Sequence, residues 1–185
     1  MTVKENSPHE FIINQERIMM KKLLPVFIVC AILILPLGSC AEKTSDVAPS
    51  AVIAALAEKI PLSATSYASD GNKLSDSDAA RLYSGDANAP DMSLIESYAL
   101  RECTMSDATE AGVFRVYSAS DAGYVRDMCR ERIQKQQKYF AQYADQGPVA
   151  NNAAVRAYGK YVYYVMAADM DGAFKVIEGM IQGKS

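Results

Sequence analysis

Between Lys21 and Cys40 the chain reads Lys-Lys, then Leu-Leu-Pro-Val-Phe-Ile-Val-Cys-Ala-Ile-Leu-Ile-Leu-Pro, then Leu-Gly-Ser-Cys. A positive pair, an apolar stretch and small residues before a cut site are the three parts of a secretory signal. The apolar stretch is about fifteen residues long, short of the roughly 20 that a bilayer-spanning helix needs, and Pro25, Pro36, Gly38 and Ser39 shorten it further. It also carries nothing polar enough to face water as one side of a soluble helix. The stretch is therefore expected to be cut off, and that sets the size of everything that folds. Removing residues 1–39 from 185 leaves 146, enough for one domain with a real core and too few for two comfortable ones.

The residue after the small pair is a cysteine, and Leu37-Gly38-Ser39-Cys40 resembles the lipobox of bacterial lipoproteins. In that motif the cysteine thiol takes a diacylglycerol and becomes the first residue of the mature chain. Two acyl chains on Cys40 meet the two-signal requirement for stable anchoring, at about 0.8 kcal/mol per buried methylene. The expected partner is thus a membrane, reached through lipid, with the body on its extracytoplasmic face. Residues 1–18 form a polar segment unusually long for the positive end of a signal, and Met19 and Met20 stand directly before Lys-Lys as alternative starts. The only histidine of the chain, His9, lies in this discarded part.

Cys40 to Pro49 is small, polar and without hydrophobic period, which predicts a flexible tether, with a single domain over 50–185. The mature part holds 15 basic and 19 acidic residues. A mildly acidic surface of mixed sign excludes nucleic acid as a partner, since that needs a basic stripe.

Within the domain, Ser50 precedes an apolar-periodic run with Ile53, Leu56 and Ile60 on one face and Pro61 as the stop, a helix. Ser75 with Asp78 three residues on has the form of a capping box for a second short helix, carrying Ala79, Leu82 and Tyr83 and ended by Gly85. Ser93 to Cys103 and Ala111 to Tyr117 are apolar and aromatic without a helical stripe, which predicts two antiparallel strands around a polar turn. Ser120 or Asp121 caps a long helix whose inner face runs through Val125, Met128/Cys129, Ile133, Gln136/Gln137, Phe140 and Tyr143/Ala144, with Gly147-Pro148 as its end.

The last third repeats the plan. Ala154 to Tyr158 and Tyr161 to Ala167 flank Gly159-Lys160, a two-residue hairpin turn in which Gly supplies the positive φ of a type II′ turn. Pairing Tyr158 with Tyr161 puts Arg156, Tyr158, Tyr161, Tyr163 and Val165 on one face and Val155, Ala157, Val162, Tyr164 and Met166 on the other. The second, more apolar set is expected to meet the helix. Asp169 caps a final helix with Met170, Phe174, Ile177 and Ile181 on one side. Strand-strand-helix twice, with helices too few to cover both faces, predicts an α+β fold: an antiparallel sheet of about four strands, the long helix across one face, and the small N-terminal helices at an edge or end.

The order Tyr83-Ser84-Gly85-Asp86, the stretch Glu110-Ala111-Gly112-Val113-Phe114-Arg115, the helix with Arg132, Gln136, Phe140 and Tyr143, and Val155 followed by Gly159-Lys160-Tyr161-Val162 is similar to an uncharacterised family of small lipoproteins from Gram-positive anaerobes, a domain of unknown function. The similarity spans residues 51–169. It implies an exported, lipid-anchored domain with no known activity and no catalytic residues to carry over.

Chemistry is then limited by elimination. With no histidine after Cys40 there is no Ser-His or Cys-His couple and no His-ligated zinc. Asp70-Gly71-Asn72 and Asp169-Met170-Asp171-Gly172 begin like calcium loops, but Leu74 stands where the first needs an oxygen and the second lacks its twelfth-position glutamate. No metal or cofactor is expected. Glu102 and Glu110, flanking the first turn, are a carboxylate pair in principle, with solvated charges as the expected reading. Cys103 and Cys129 allow an intradomain disulfide, whose loop of about 27 residues would add roughly 3 kcal/mol; two inert buried thiols are the favoured alternative, given a sufficient core and the anaerobic setting implied by the resemblance. Arg156, Tyr158, Tyr161 and Tyr163 form a half-polar aromatic face suited to a sugar, a peptide or a partner's strand, unless the N-terminal helices close it. The function expected from these readings is a non-catalytic binding or interaction module for an envelope protein, peptide or glycan. A small carboxylate-dependent enzyme acting on peptidoglycan or a glycan is the alternative.

Overall fold

A computed structural model describes residues 45–84 and 90–184. The stretch expected to be an export signal, with Leu37-Gly38-Ser39 and Cys40, and the helix stop expected at Gly85 lie outside those residues. Among the described residues, no helix is long and apolar enough to cross a membrane.

The body is α+β. In chain order it comprises α1 (Pro49–Ala57), β1 (Ser66–Ala68), α2 (Asp76–Tyr83), β2 (Ile95–Arg101), β3 (Glu110–Val116), α3 (Ala122–Phe140), α4 (Gln146–Asn151), β4 (Ala153–Tyr158), β5 (Tyr161–Met166) and α5 (Met170–Ile181). Five strands form one antiparallel sheet in the order β1-β2-β3-β5-β4. The strand beyond the expected four is β1, three residues on the edge beside β2, too short to show a period.

The hairpin forms in the expected register, Tyr158 opposite Tyr161, with Gly159 at φ 56°. Ser75 caps α2, its hydroxyl accepting from the Asp78 N–H at 3.1 Å. Asp169 caps α5 by accepting from Gly172 N at 2.9 Å. Three expected helix ends move, one being the end of α1, which falls at Ala57 and not before Pro61. Pro49 is the first residue of α1, a place where a missing N–H costs nothing. The long helix stops at Phe140, and Gly147-Pro148 lie in the first turn of α4.

The larger correction concerns layers. The sheet is covered on both faces. Val52, Ile53 and Leu56 of α1 and Phe174, Ile177 and Ile181 of α5 pack with Val113, Tyr161, Tyr163 and Val165. On the other side Leu82 and Tyr83 of α2 and Val125, Met128, Cys129 and Ile133 of α3 pack with Leu100, Phe114, Val162 and Tyr164. Every residue of β5 is buried for that reason, whereas β4 at the edge is not. The two short helices were expected at an edge or an end. Because α1 pairs with α5 and α2 with α3, each face receives two helices, and four helices suffice for five strands.

Candidate functional site

β3 opens on Glu110, whose place in the strand alternation (Glu110, Gly112, Phe114, Val116) aims it at α3 in a layer of apolar side chains. It is fully buried. Facing it from the inner stripe of α3 is Arg132, 3% exposed. The two meet as a fork: Nε donates to Oε1 at 2.8 Å and Nη2 to Oε2 at 2.6 Å.

The remaining lone pairs of Glu110 are also used. Tyr164 of β5 donates its hydroxyl to Oε1 at 2.5 Å, and the Cys103 backbone N–H donates to Oε2 at 3.1 Å. Tyr83 of α2 reaches the Tyr164 hydroxyl at 3.2 Å. Gln136, one turn along α3, faces Arg132 with its side-chain amide, and with the oxygen assigned to that side by hydrogen-bonding sense it accepts from Nη1 at 2.5 Å and Nη2 at 3.2 Å. Strand, helix and loop are thus stitched at one buried point, and no buried side-chain nitrogen or oxygen among the described residues is left without a partner. Burial by itself would raise the Glu110 carboxyl. The charge of Arg132, its two donors, the Tyr164 hydroxyl and the Cys103 N–H outweigh it and hold the carboxyl below the usual carboxylate range. Burial pushes the Tyr83 and Tyr164 hydroxyls well above their usual values, so both remain neutral donors.

Gly112 allows the arrangement. A Cβ there would stand 3.0 Å from Tyr164 Cζ and closer still to Cε1, so only glycine lets the tyrosine ring lie across β3 with its hydroxyl on Glu110.

Beside this network, on the solvent side, a cavity of about 350 Å³ is lined by Arg81, Glu102, Cys103, Thr104, Met105, Arg132, Lys135, Gln136 and Tyr139. Arg81 of α2 forks onto Glu102, 2.6 Å from Oε1 and 3.1 Å from Oε2. That bond raises the Arg81 pKa. The Lys135 ammonium donates to the Arg81 carbonyl at 2.6 Å and meets no carboxylate among the described residues. The rim is apolar: Met105 is 81% exposed, and the Tyr139 ring stands at the surface. Glu102 and Glu110, expected as solvated charges, are instead both paired, because α2 and α3 pack side by side on this face, where Arg81 meets Glu102 and Arg132 meets Glu110.

A family model described as a domain of unknown function, DUF4358, matches residues 69–167. The chain belongs to that family. The matched DUF4358 segment contains the whole cavity lining, the Glu110–Arg132 pair, Gly112 and Tyr164, and it leaves out α1 and α5, which cover the other face. No curated protein and no solved structure matches the chain significantly.

Of the residues singled out in the sequence, Glu102, Glu110 and Cys103 meet at this site of the DUF4358 protein, and the aromatic face lies elsewhere. Tyr161 and Tyr163, expected to contribute a binding face with Arg156 and Tyr158, are each 2% exposed beneath α1 and α5. The face is closed because α5 returns over it. Arg156 lies over the Phe174 ring at 4.0 Å and pairs with Glu178 at 2.8 Å, and Tyr163 donates to the same carboxylate at 3.1 Å. Tyr158 packs half-buried against that core. Cys103 and Cys129 are both free thiols rather than a bridge: Cys103 Sγ lies 3.6 Å from Arg132 Nη2, while Cys129 is enclosed in the core under α3. Burial, reinforced by the Glu110 charge, raises both thiols. Among the described residues no group of acids and cysteines is placed to hold a metal ion.

Arg132 was missed as a buried residue, yet its signal is present. The inner stripe of α3 runs 125, 128/129, 132/133, 136, 140, and Arg132 stands on it. Glu110 likewise occupies an inward position of β3. A charge at a core position in each of two elements is the mark of a buried pair.

Proposed function

We propose that this DUF4358 protein is a lipid-anchored, extracytoplasmic, non-catalytic binding module whose ligand site is the cavity between α2, the β2–β3 turn and the end of α3. The anchoring half rests on Leu37-Gly38-Ser39-Cys40 and the apolar run before it. Lys135 carries the binding half. Arg81 and Arg132 each have a carboxylate of their own, so Lys135 is the surplus cation of the cavity, set beside the apolar rim of Met105 and Tyr139. A charge of that sign next to apolar surface suits a short peptide or glycan fragment that bears a carboxylate. The carboxylate-dependent enzyme gains no support from this geometry. Such chemistry needs one carboxyl poised to give up a proton, and here Glu110 is held ionised while Glu102 is engaged by Arg81.

Equilibrium binding of short peptides with free and with amidated C-termini to the mature chain tests this reading. The free acid should bind more tightly than the amide. Lys135→Gln should weaken the acid about tenfold, the equivalent of roughly 1.4 kcal/mol for one charge-assisted hydrogen bond, and leave the amide unchanged. Equal binding of acid and amide, or an indifferent Lys135→Gln, would sink the assignment of this cavity.

A further inference from the structure

The segment expected to be slack is fastened to the body from Ser45 onward. The last carbonyls of α5 have no partner within the helix, and Ser45 supplies one: its N–H donates to the Ile181 carbonyl at 2.7 Å, and its hydroxyl lies 2.9 Å from the same oxygen and within bonding reach of Met180. Val47 and Tyr161 bond reciprocally, Val47 N–H donating to the tyrosine oxygen at 3.1 Å and that hydroxyl donating to the Val47 carbonyl at 2.8 Å. Asp46 pairs with Arg115, which also holds Glu96 at 3.0 Å. Pro49 then begins α1, whose inner side is fully packed. The strap therefore grips three elements at once, the start of β5, the end of β3 and the end of α5.

Those three points share one end of the sheet, and the cavity belongs to the other. Arg115 is the last residue but one of β3 and Glu110 the first, a run of about 17 Å at roughly 3.4 Å per residue. The β2–β3 turn that lines the cavity lies beyond Glu110. The strap end also carries the β4–β5 turn with exposed Lys160, the exposed ring of Tyr117 (61%), and exposed Lys184. Exposed tyrosine beside lysines suits the headgroup layer of a bilayer, where an amphipathic ring and long-stemmed cations both find their two environments.

We propose that the Ser45–Val47 strap fixes how the domain stands on the membrane: the end with Tyr117, Lys160 and Lys184 faces the lipid, and the cavity opens away from it. This rests on the reading that Cys40 is acylated. Only five links separate Cys40 from Ser45, at most about 17 Å of chain even when fully drawn out. The lipid is thus leashed short to the strap end, and a ligand in the envelope meets the cavity mouth first.

The acylated mature chain on phosphatidylcholine–phosphatidylglycerol vesicles, labelled with a membrane-impermeant amine reagent and read by peptide mass spectrometry, tests the orientation with the protein's own lysines. Attachment to vesicles should slow labelling of Lys160 and Lys184 severalfold relative to detergent solution and leave Lys135 and Lys138 unchanged. Tyr161→Phe, which removes the hydroxyl that holds Val47 and keeps the ring in the core, should shrink that contrast. Equal protection of the two lysine pairs, or protection of Lys135 and Lys138 instead, overturns the proposal while the acyl mass on Cys40 still upholds the anchor. Absence of that mass overturns both. Rapid hydrogen exchange at the Ser45 and Val47 amides of the acylated chain overturns the strap and the orientation with it, and leaves the anchor standing.

Discussion

Replacing Arg132 by Met is the sharpest probe of how this fold is held. The substitution keeps most of the side-chain volume on α3 and removes the fork from a glutamate with no exposed surface. Removing one partner of a buried pair costs about 3–5 kcal/mol, because the other charge stays behind in the core. A domain of this size has a total stability of about 10 kcal/mol. With a urea slope of about 2 kcal/mol per molar, a loss of about 4 kcal/mol moves the midpoint down by about 2 M. The pH dependence gives an independent sign. In the native protein the folded pKa of Glu110 is depressed, so its contribution is present above the ordinary unfolded value of about 4.3 and fades as pH falls through the folded value. Without Arg132, burial dominates and the folded pKa moves above the unfolded one. The variant should then lose stability as pH rises from about 4.3, the reverse of the parent. Adding Glu110→Gln should restore much of the loss, since the amide oxygen can still accept from the Cys103 N–H while the Tyr164 hydroxyl turns to accept from the amide NH2. Urea melts of the protein at several pH values read all three effects. A midpoint within a few tenths molar of the parent, with an unchanged pH slope, would refute the buried pair.

Three further outcomes follow from the same point in the fold. Gly112→Ala pushes a methyl into the Tyr164 ring and should cost about 1–3 kcal/mol, seen as a lower urea midpoint; a neutral result would mean that the ring is free to move off Glu110. Tyr164→Phe removes a donor to an ionised oxygen and should cost about 1.5–3 kcal/mol, whereas Tyr83→Phe, which loses only a hydroxyl–hydroxyl bond, should cost about 1 kcal/mol; equal losses in chemical denaturation would contradict the network. A thiol reagent at neutral pH should modify Cys103 slowly and Cys129 only on unfolding, with both thiols titratable in denaturant; one missing pair of thiols would reveal the bridge that the structure lacks.

Much of the secondary structure was already decided by local chemistry. Ser75 with Asp78, Asp169 with Gly172, and Gly159 at the hairpin turn each satisfy a requirement set within four residues, so capping groups, turn and register could be read directly from the chain. The α+β class and the DUF4358 relationship were legible for the same reason, since they rest on the order of elements and motifs. A three-residue edge strand carries too little pattern to announce itself, and β1 was absent from the expectation.

What covers each face of the sheet was a tertiary decision. Tyr161 and Tyr163 are the same residues whether solvent or α1 and α5 lie above them, and only the paths that those two helices take choose. The site follows the same logic. Glu110 and Arg132 stand 22 residues apart, and neither charge is tolerable in a core alone; their burial becomes favourable only once β3 and α3 have packed and the fork, Tyr164 and the Cys103 amide arrive together. Sequence determines which groups need partners, while packing across long separations determines which partners they meet.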